Sequence, residues 1–99
     1  MDPYERQMID AIRLQVRVEL VEHSMRQSDL SDAVGVGSAA MNRYLQGHRT
    51  FPMQTFIAVA EAFGMTPSEL IGKAEARTSR PQRGGPEAVP ADSRAPAAG

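Results

Sequence analysis

Residues Gln27 to Gly47 read QSDLSDAVGVGSAAMNRYLQG, and the fold turns on this stretch. Leu30, Ala33 and Val34 recur at helical spacing, which predicts a short helix from about Gln27 to Val34 with those three inward. Gly35 follows, the residue type that takes left-handed backbone just past a helix. After Val36, Gly37-Ser38 opens a second short helix to about Gln46, which Gly47 closes. There Met41, Tyr44 and Leu45 face inward, while Ser38, Ala39, Asn42, Arg43 and Gln46 share an outer arc of about 140° at 100° per residue. A short helix, a glycine turn and a second short helix make a helix-turn-helix. Leu30 and Val34 are placed to pack on Met41 and Tyr44, with Val36 filling the space between the two helices.

Upstream, Asp2-Pro3 reads as an N-cap with proline at the first helical position, opening a long helix to about Ser24. Its apolar residues form two stripes. Ile9, Ile12, Val16 and Leu20 make one; Leu14, Val18, Val21 and Met25 make the other. A surface helix needs only one, so the second is expected either inside the same domain or against a second subunit. Downstream, His48 to Pro52 reads as a loop. A fourth helix runs from about Met53 to Phe63, with Phe56, Val59, Ala60 and Phe63 on one face, and ends at Gly64. Thr66-Pro67-Ser68-Glu69 is a capping box that opens a fifth helix through about Ala74, with Leu70 and Ile71 as its apolar contacts. From Arg77 onward the chain is rich in Pro, Ala, Gly, Ser and Arg, with Val89 as the one large aliphatic residue. Such a segment buries too little apolar surface to offset the entropy of ordering. The expected class is all-α: a compact five-helix domain over residues 1–76, then a disordered tail over residues 77–99.

Composition narrows the function classes. The 99 residues suffice for one domain. Net charge is -1, and it is unevenly placed. Residues 1–72 carry six arginines against nine carboxylates, and the remainder is net basic. A nucleic-acid partner therefore has to be argued from local placement of charge. The absence of cysteine excludes disulfides and thiolate metal sites, and His23 and His48 alone make no zinc site. No nucleophile–base set, phosphate loop or cofactor motif is present, so no enzymatic activity, cofactor, metal or small-molecule ligand is expected. No apolar run approaches the roughly 20 residues of a membrane span, and Met1 to Arg6 has no signal pattern. A cytoplasmic location is expected. The excess of arginine over lysine fits a GC-rich coding sequence, bacterial or phage.

Three patterns combine: Q-x-x-L-x-x-x-x-G-V from Gln27, R-Y-L-x-G from Arg43, and A-x-A-F-G-M-T-P-S-E-L from Ala60. Together they resemble the Cro and lambda-repressor-type helix-turn-helix family, the XRE family, from about Val16 to Ile71. The resemblance implies a lambda-repressor-like fold whose second short helix, about 38–46, enters the major groove of an operator. It implies that Ser38, Ala39, Asn42 and Arg43 read base edges. Arg43 is suited to guanine, Asn42 to adenine and Ala39 to a thymine methyl. It also implies that Gln27, Gln46, His48, Arg49 and Thr50 contact the DNA backbone. Three positions depart from the family pattern. Arg26 replaces the usual capping Ser or Thr, Ser31 the usual Ala, and Leu20 the usual Arg. Plainer roles remain open: Arg43 paired with Asp29 or Asp32, Gln27 as a helix cap only, and Arg6, Arg13 and Arg17 as a solvated face or as phosphate contacts. The expected function is a sequence-specific transcriptional repressor of a bacterial or phage promoter, of the kind that includes short temperate-phage immunity repressors. It would associate with the nucleoid and self-associate weakly as a homodimer. The rivals are an antitoxin of a toxin–antitoxin pair, or a protein-interaction module that has lost DNA binding.

Overall fold

The computed structural model describes residues 3–78. The expected cap at Asp2 and the expected disorder of the tail from residue 79 on, Val89 included, lie outside the described residues. The elements are α1 (Pro3–Glu22), α2 (Gln27–Val34), α3 (Ser38–Gln46), α4 (Met53–Ala62) and α5 (Pro67–Glu75). Among the described residues there is no strand.

The helix ends follow from backbone hydrogen bonding. After each of the first four helices one residue turns left-handed, and the next N–H reaches back to a carbonyl of the last turn. The bonds are Met25 N to Leu20 O (2.8 Å), Val36 N to Ser31 O (3.1 Å), His48 N to Arg43 O (2.9 Å) and Met65 N to Ala60 O (2.9 Å). This closure satisfies carbonyls that the helix itself leaves open. The left-handed residue is glycine three times, but after α1 it is Ser24, at φ 54°. Hence α1 ends at Glu22 rather than at Ser24. At the start of α5, Thr66 Oγ1 accepts from Glu69 N (3.1 Å) and Glu69 Oε1 from Thr66 N (2.8 Å), the reciprocal box the sequence predicts. At α2 only half of such a box exists. Arg26 offers no acceptor, but Asp29 Oδ2 takes the Arg26 N–H at 2.8 Å.

The core gathers one face from every helix: Val16 and Leu20, Leu30, Met41 and Leu45, Val59 and Phe63, and Leu70. α1 packs on α5 and α3, α2 on α3 and α4, and α4 on α5. Two inward assignments change. Ala33 is exposed and Ser31 is buried in its stead. The Ser31 hydroxyl donates to Gln27 O at 3.1 Å, which supplies the partner that burial of a polar group demands. Ile71 stays 39% exposed, while Leu70 and Ala74 bury fully.

The second stripe of α1 is divided: Leu14 is 44% and Val21 79% exposed, while Val18 is half-buried and Met25 packs against the core. What α5 covers is a polar edge between the stripes. Glu19, 1% exposed, accepts from Lys73 Nζ (3.0 Å) and Gln15 Nε2 (2.8 Å). His23 Nε2 lies 3.3 Å from its other oxygen. Arg77, which composition places in the tail, donates to Gln15 Oε1 at 2.6 Å and so belongs to the folded body. Burial pushes the Glu19 carboxyl up. The hydrogen bonds from Lys73 and Gln15, with the charges of Lys73 and His23, outweigh this and hold it below the ordinary value of 4.5. The Lys73 ammonium is held above its ordinary value, first by its hydrogen bond to Glu19 and then by that carboxylate's charge.

Two outcomes are expected. A depressed carboxylate stabilises the fold above its ordinary pKa, and the contribution is lost as pH falls through the lower folded value. Glu19→Gln should therefore flatten the loss of urea stability below pH 4.5, relative to wild type. Ser24→Gly should raise stability by about 0.5–1 kcal/mol in the same assay. That is the left-handed penalty on a non-glycine residue less the entropy glycine adds to the unfolded chain.

Candidate nucleic-acid interface

A nine-residue helix is too short to persist alone in water, so α3 depends on its supports. Its inner face is Met41, Tyr44 and Leu45, all buried. Tyr44 stacks at a tilt on Phe51 with ring centroids 4.9 Å apart, which ties the helix to the loop that follows. Tyr44 and the phenylalanines therefore serve as packing.

The C-terminal end of α3 is held more elaborately than the sequence predicts. Gly47 turns left-handed (φ 86°), its N–H bonds Tyr44 O (3.2 Å), and the His48 N–H bonds Arg43 O. The next carbonyl, of Leu45, takes Arg17 Nε at 3.1 Å and Arg13 Nη1 at 3.5 Å. Two guanidinium groups thus stand at the negative end of the helix dipole. Arg13 and Arg17, for which a solvated face or phosphate contacts stay open in the sequence, anchor the end of α3, and Arg6 is exposed. Sequence reasoning missed this because the partner is a backbone carbonyl 28 or more residues away, which no side-chain pattern encodes.

The outer face holds what the sequence placed there. Ser38, Ala39, Asn42, Arg43 and Gln46 are all exposed along one side of α3, and His48, Arg49 and Thr50 are exposed in the loop beyond it. Gln27, half-buried at the first turn of α2, donates from Nε2 to Asn42 Oδ1 at 3.3 Å. The two short helices therefore present a joined amide pair at their junction. Arg43 and Arg49 have no carboxylate within ion-pair distance among the described residues. Asp29, one proposed partner of Arg43, pairs with Arg26 instead, at 3.5 Å. The Arg26 N–H, then its guanidinium, hold the Asp29 carboxyl below its ordinary value. The surface thus offers hydrogen-bonding side chains, two uncommitted guanidinium groups and a small residue, Ala39, on a helix narrow enough for a major groove.

Residues 15–73 match the family model of the Cro/C1-type HTH DNA-binding domain, which is more than half of the 99-residue chain. The chain belongs to the Cro/C1-type helix-turn-helix family. It is an XRE-type DNA-binding protein, a transcription regulator by family, and its partner is double-stranded DNA. The family is a regulatory one and not a family of enzymes. No curated protein and no solved structure matches the chain. Among the described residues no helix is long and apolar enough to cross a membrane.

The anchoring of α3 makes a graded prediction. A Cβ at Gly47 would lie 2.9 Å from Arg13 Nε, whereas one at Gly35 meets nothing within 4 Å; both sites are left-handed. Gly35→Ala should cost about 0.5–1 kcal/mol, the left-handed penalty less the unfolded-chain entropy that alanine removes. Gly47→Ala should cost more, because it also displaces Arg13 from the end of α3. Denaturant unfolding of the two variants beside wild type measures the difference.

Proposed function

We propose that the protein is a sequence-specific repressor of a bacterial or phage promoter, with α3 in the major groove of its operator. The observation that carries this is the outer face of α3, where Arg43 stays free of every nearby carboxylate while Asp29 is occupied by Arg26. A guanidinium left uncommitted on an exposed helix is available for bidentate pairing with guanine O6 and N7. Asn42 is held by Gln27 and is suited to adenine or a phosphate; Ser38 and Ala39 sit at the first turn, nearest the bases. The Gln27–Asn42 bond favours Gln27 as a residue that orients its neighbour as well as a phosphate contact. Gln46, His48, Arg49 and Thr50 then lie along the backbone.

Specificity would come from two such modules on a two-fold operator, about one helical turn apart. The exposed Leu14 and Val21 on α1, or Ile71 on α5, offer apolar surface for a weak homodimer. The acidic balance of residues 1–72 keeps non-specific affinity low, so binding depends on the few placed cations. That balance is also the one observation that favours an interaction module without DNA affinity. The antitoxin reading has no observation of its own.

A mobility-shift titration on fragments flanking the protein's own gene separates these readings. Wild type should give a discrete complex that resists competitor DNA. Arg43→Ala should weaken it by about 1–3 kcal/mol, roughly 5- to 150-fold, and relax specificity at one base pair. Arg49→Ala should weaken binding evenly across sequences and reduce the salt slope by about one. No complex at low salt and micromolar protein would overturn the repressor reading.

A further inference from the structure

The three arginines of α1 part company in the structure. Arg13 is half-buried and ion-paired with Asp10 at 3.5 Å. Arg6 is exposed and lies about 16 Å further up the helix than Arg17, at 1.5 Å per residue. Arg17 is exposed and has no carboxylate within ion-pair distance among the described residues. Its Nε is committed to Leu45 O at 3.1 Å, which leaves both Nη groups as open donors. The helix end that holds it carries only about half a negative charge, against a full positive charge on each guanidinium. Arg13 Nη1 reaches the same carbonyl at 3.5 Å, and Asp10 offsets that charge. No acid among the described residues offsets Arg17, so the end of α3 is locally positive in a domain that is acidic in balance.

Leu45 adjoins Gln46 and precedes the loop that exposes His48, Arg49 and Thr50. Those four residues lie along the DNA backbone on the operator reading. We infer that Arg17 grips a phosphate of that backbone at the end of α3: Nε holds the Leu45 carbonyl while the Nη pair bonds the phosphate oxygens. The guanidinium suits both tasks at once, because its five N–H donors point in fixed and different directions. A side chain already held by one bond also has less freedom to lose when the second partner arrives. One group thus sets α3 along its own axis and ties that setting to the DNA strand. The inference rests on α3 lying in the major groove, as proposed above, and not on which bases it reads.

The test measures binding of the full chain, as a function of salt, to a short random-sequence duplex and to the fragment flanking its own gene. Arg17→Gln keeps a donor for Leu45 O and removes the charge. Each phosphate contact adds about 0.9 to the slope of log affinity against log salt, so this variant should lose that much on both duplexes. Its deficit against wild type should then shrink about 3- to 4-fold between 50 and 200 mM salt. Arg17→Lys, which keeps the charge, should restore the wild-type slope, and Arg6→Gln should leave it unchanged. In the wild-type chain the Nη signals of Arg17 should become resolved when DNA is added, because a bonded guanidinium stops rotating. A wild-type slope for Arg17→Gln would make Arg17 an anchor of α3 only and overturn the proposal. An equal loss of slope in Arg6→Gln would overturn it too, by assigning the effect to the general field of α1. Unchanged Nη signals in the wild type would do the same whatever the variants show. If wild type binds both duplexes alike, the operator reading fails, while the slope on the random duplex still decides the role of Arg17.

Discussion

The molecule depends on fixing one short helix. α3 cannot stand by itself at nine residues, and its neighbours hold it in place. α1 and α2 both pack against it. Its face is buried through Met41, Tyr44 and Leu45, and its last carbonyls are closed by Gly47, His48 and the two α1 arginines. Burial fixes the helix's rotation, and the terminal bonds fix its position along its own axis. On the proposed operator reading, both must be set before the side chains on its outer face can meet base edges in register.

The α1–α5 contact supports this from behind. Its chemistry is polar where an apolar seam might have served: Glu19 buried among Gln15, Lys73 and His23, with Arg77 on Gln15. A buried carboxylate is costly unless it is paired and hydrogen-bonded, and here its partners come from three turns of two helices. The arrangement specifies which edge of α1 meets α5 more narrowly than apolar contact would. It also leaves Leu14 and Val21 at the surface.

The charge economy of the outer face follows the same logic. The domain is acidic in balance, yet Asp29, at the start of the helix-turn-helix, is occupied. Asp29 takes the Arg26 backbone and side chain at the start of α2. A cap that the family normally makes with a hydroxyl is made here by an aspartate reaching back, and the same contact neutralises that acid beside the exposed face of α3. Arg43 is thereby left free.

Much of this was legible from residues 27–47 and 60–70. Glycines past helix ends, the box at Thr66 and the apolar spacing are local, and local rules place helices and their inner faces. Hence the five elements and the outer arc of α3 were readable to within a residue or two. The errors were non-local. Ala33 and Ser31 exchanged places because which of two adjacent small residues faces inward depends on the angle at which α2 meets its neighbours. The second stripe of α1 leaves two places open, inside the domain or against a second subunit, and the choice of edge belongs to α5. The pairing of Glu19 with Lys73 and the grip of Arg13 and Arg17 on Leu45 are decided only by tertiary structure. Each joins segments far apart in the chain, for which a linear sequence carries no periodic signal.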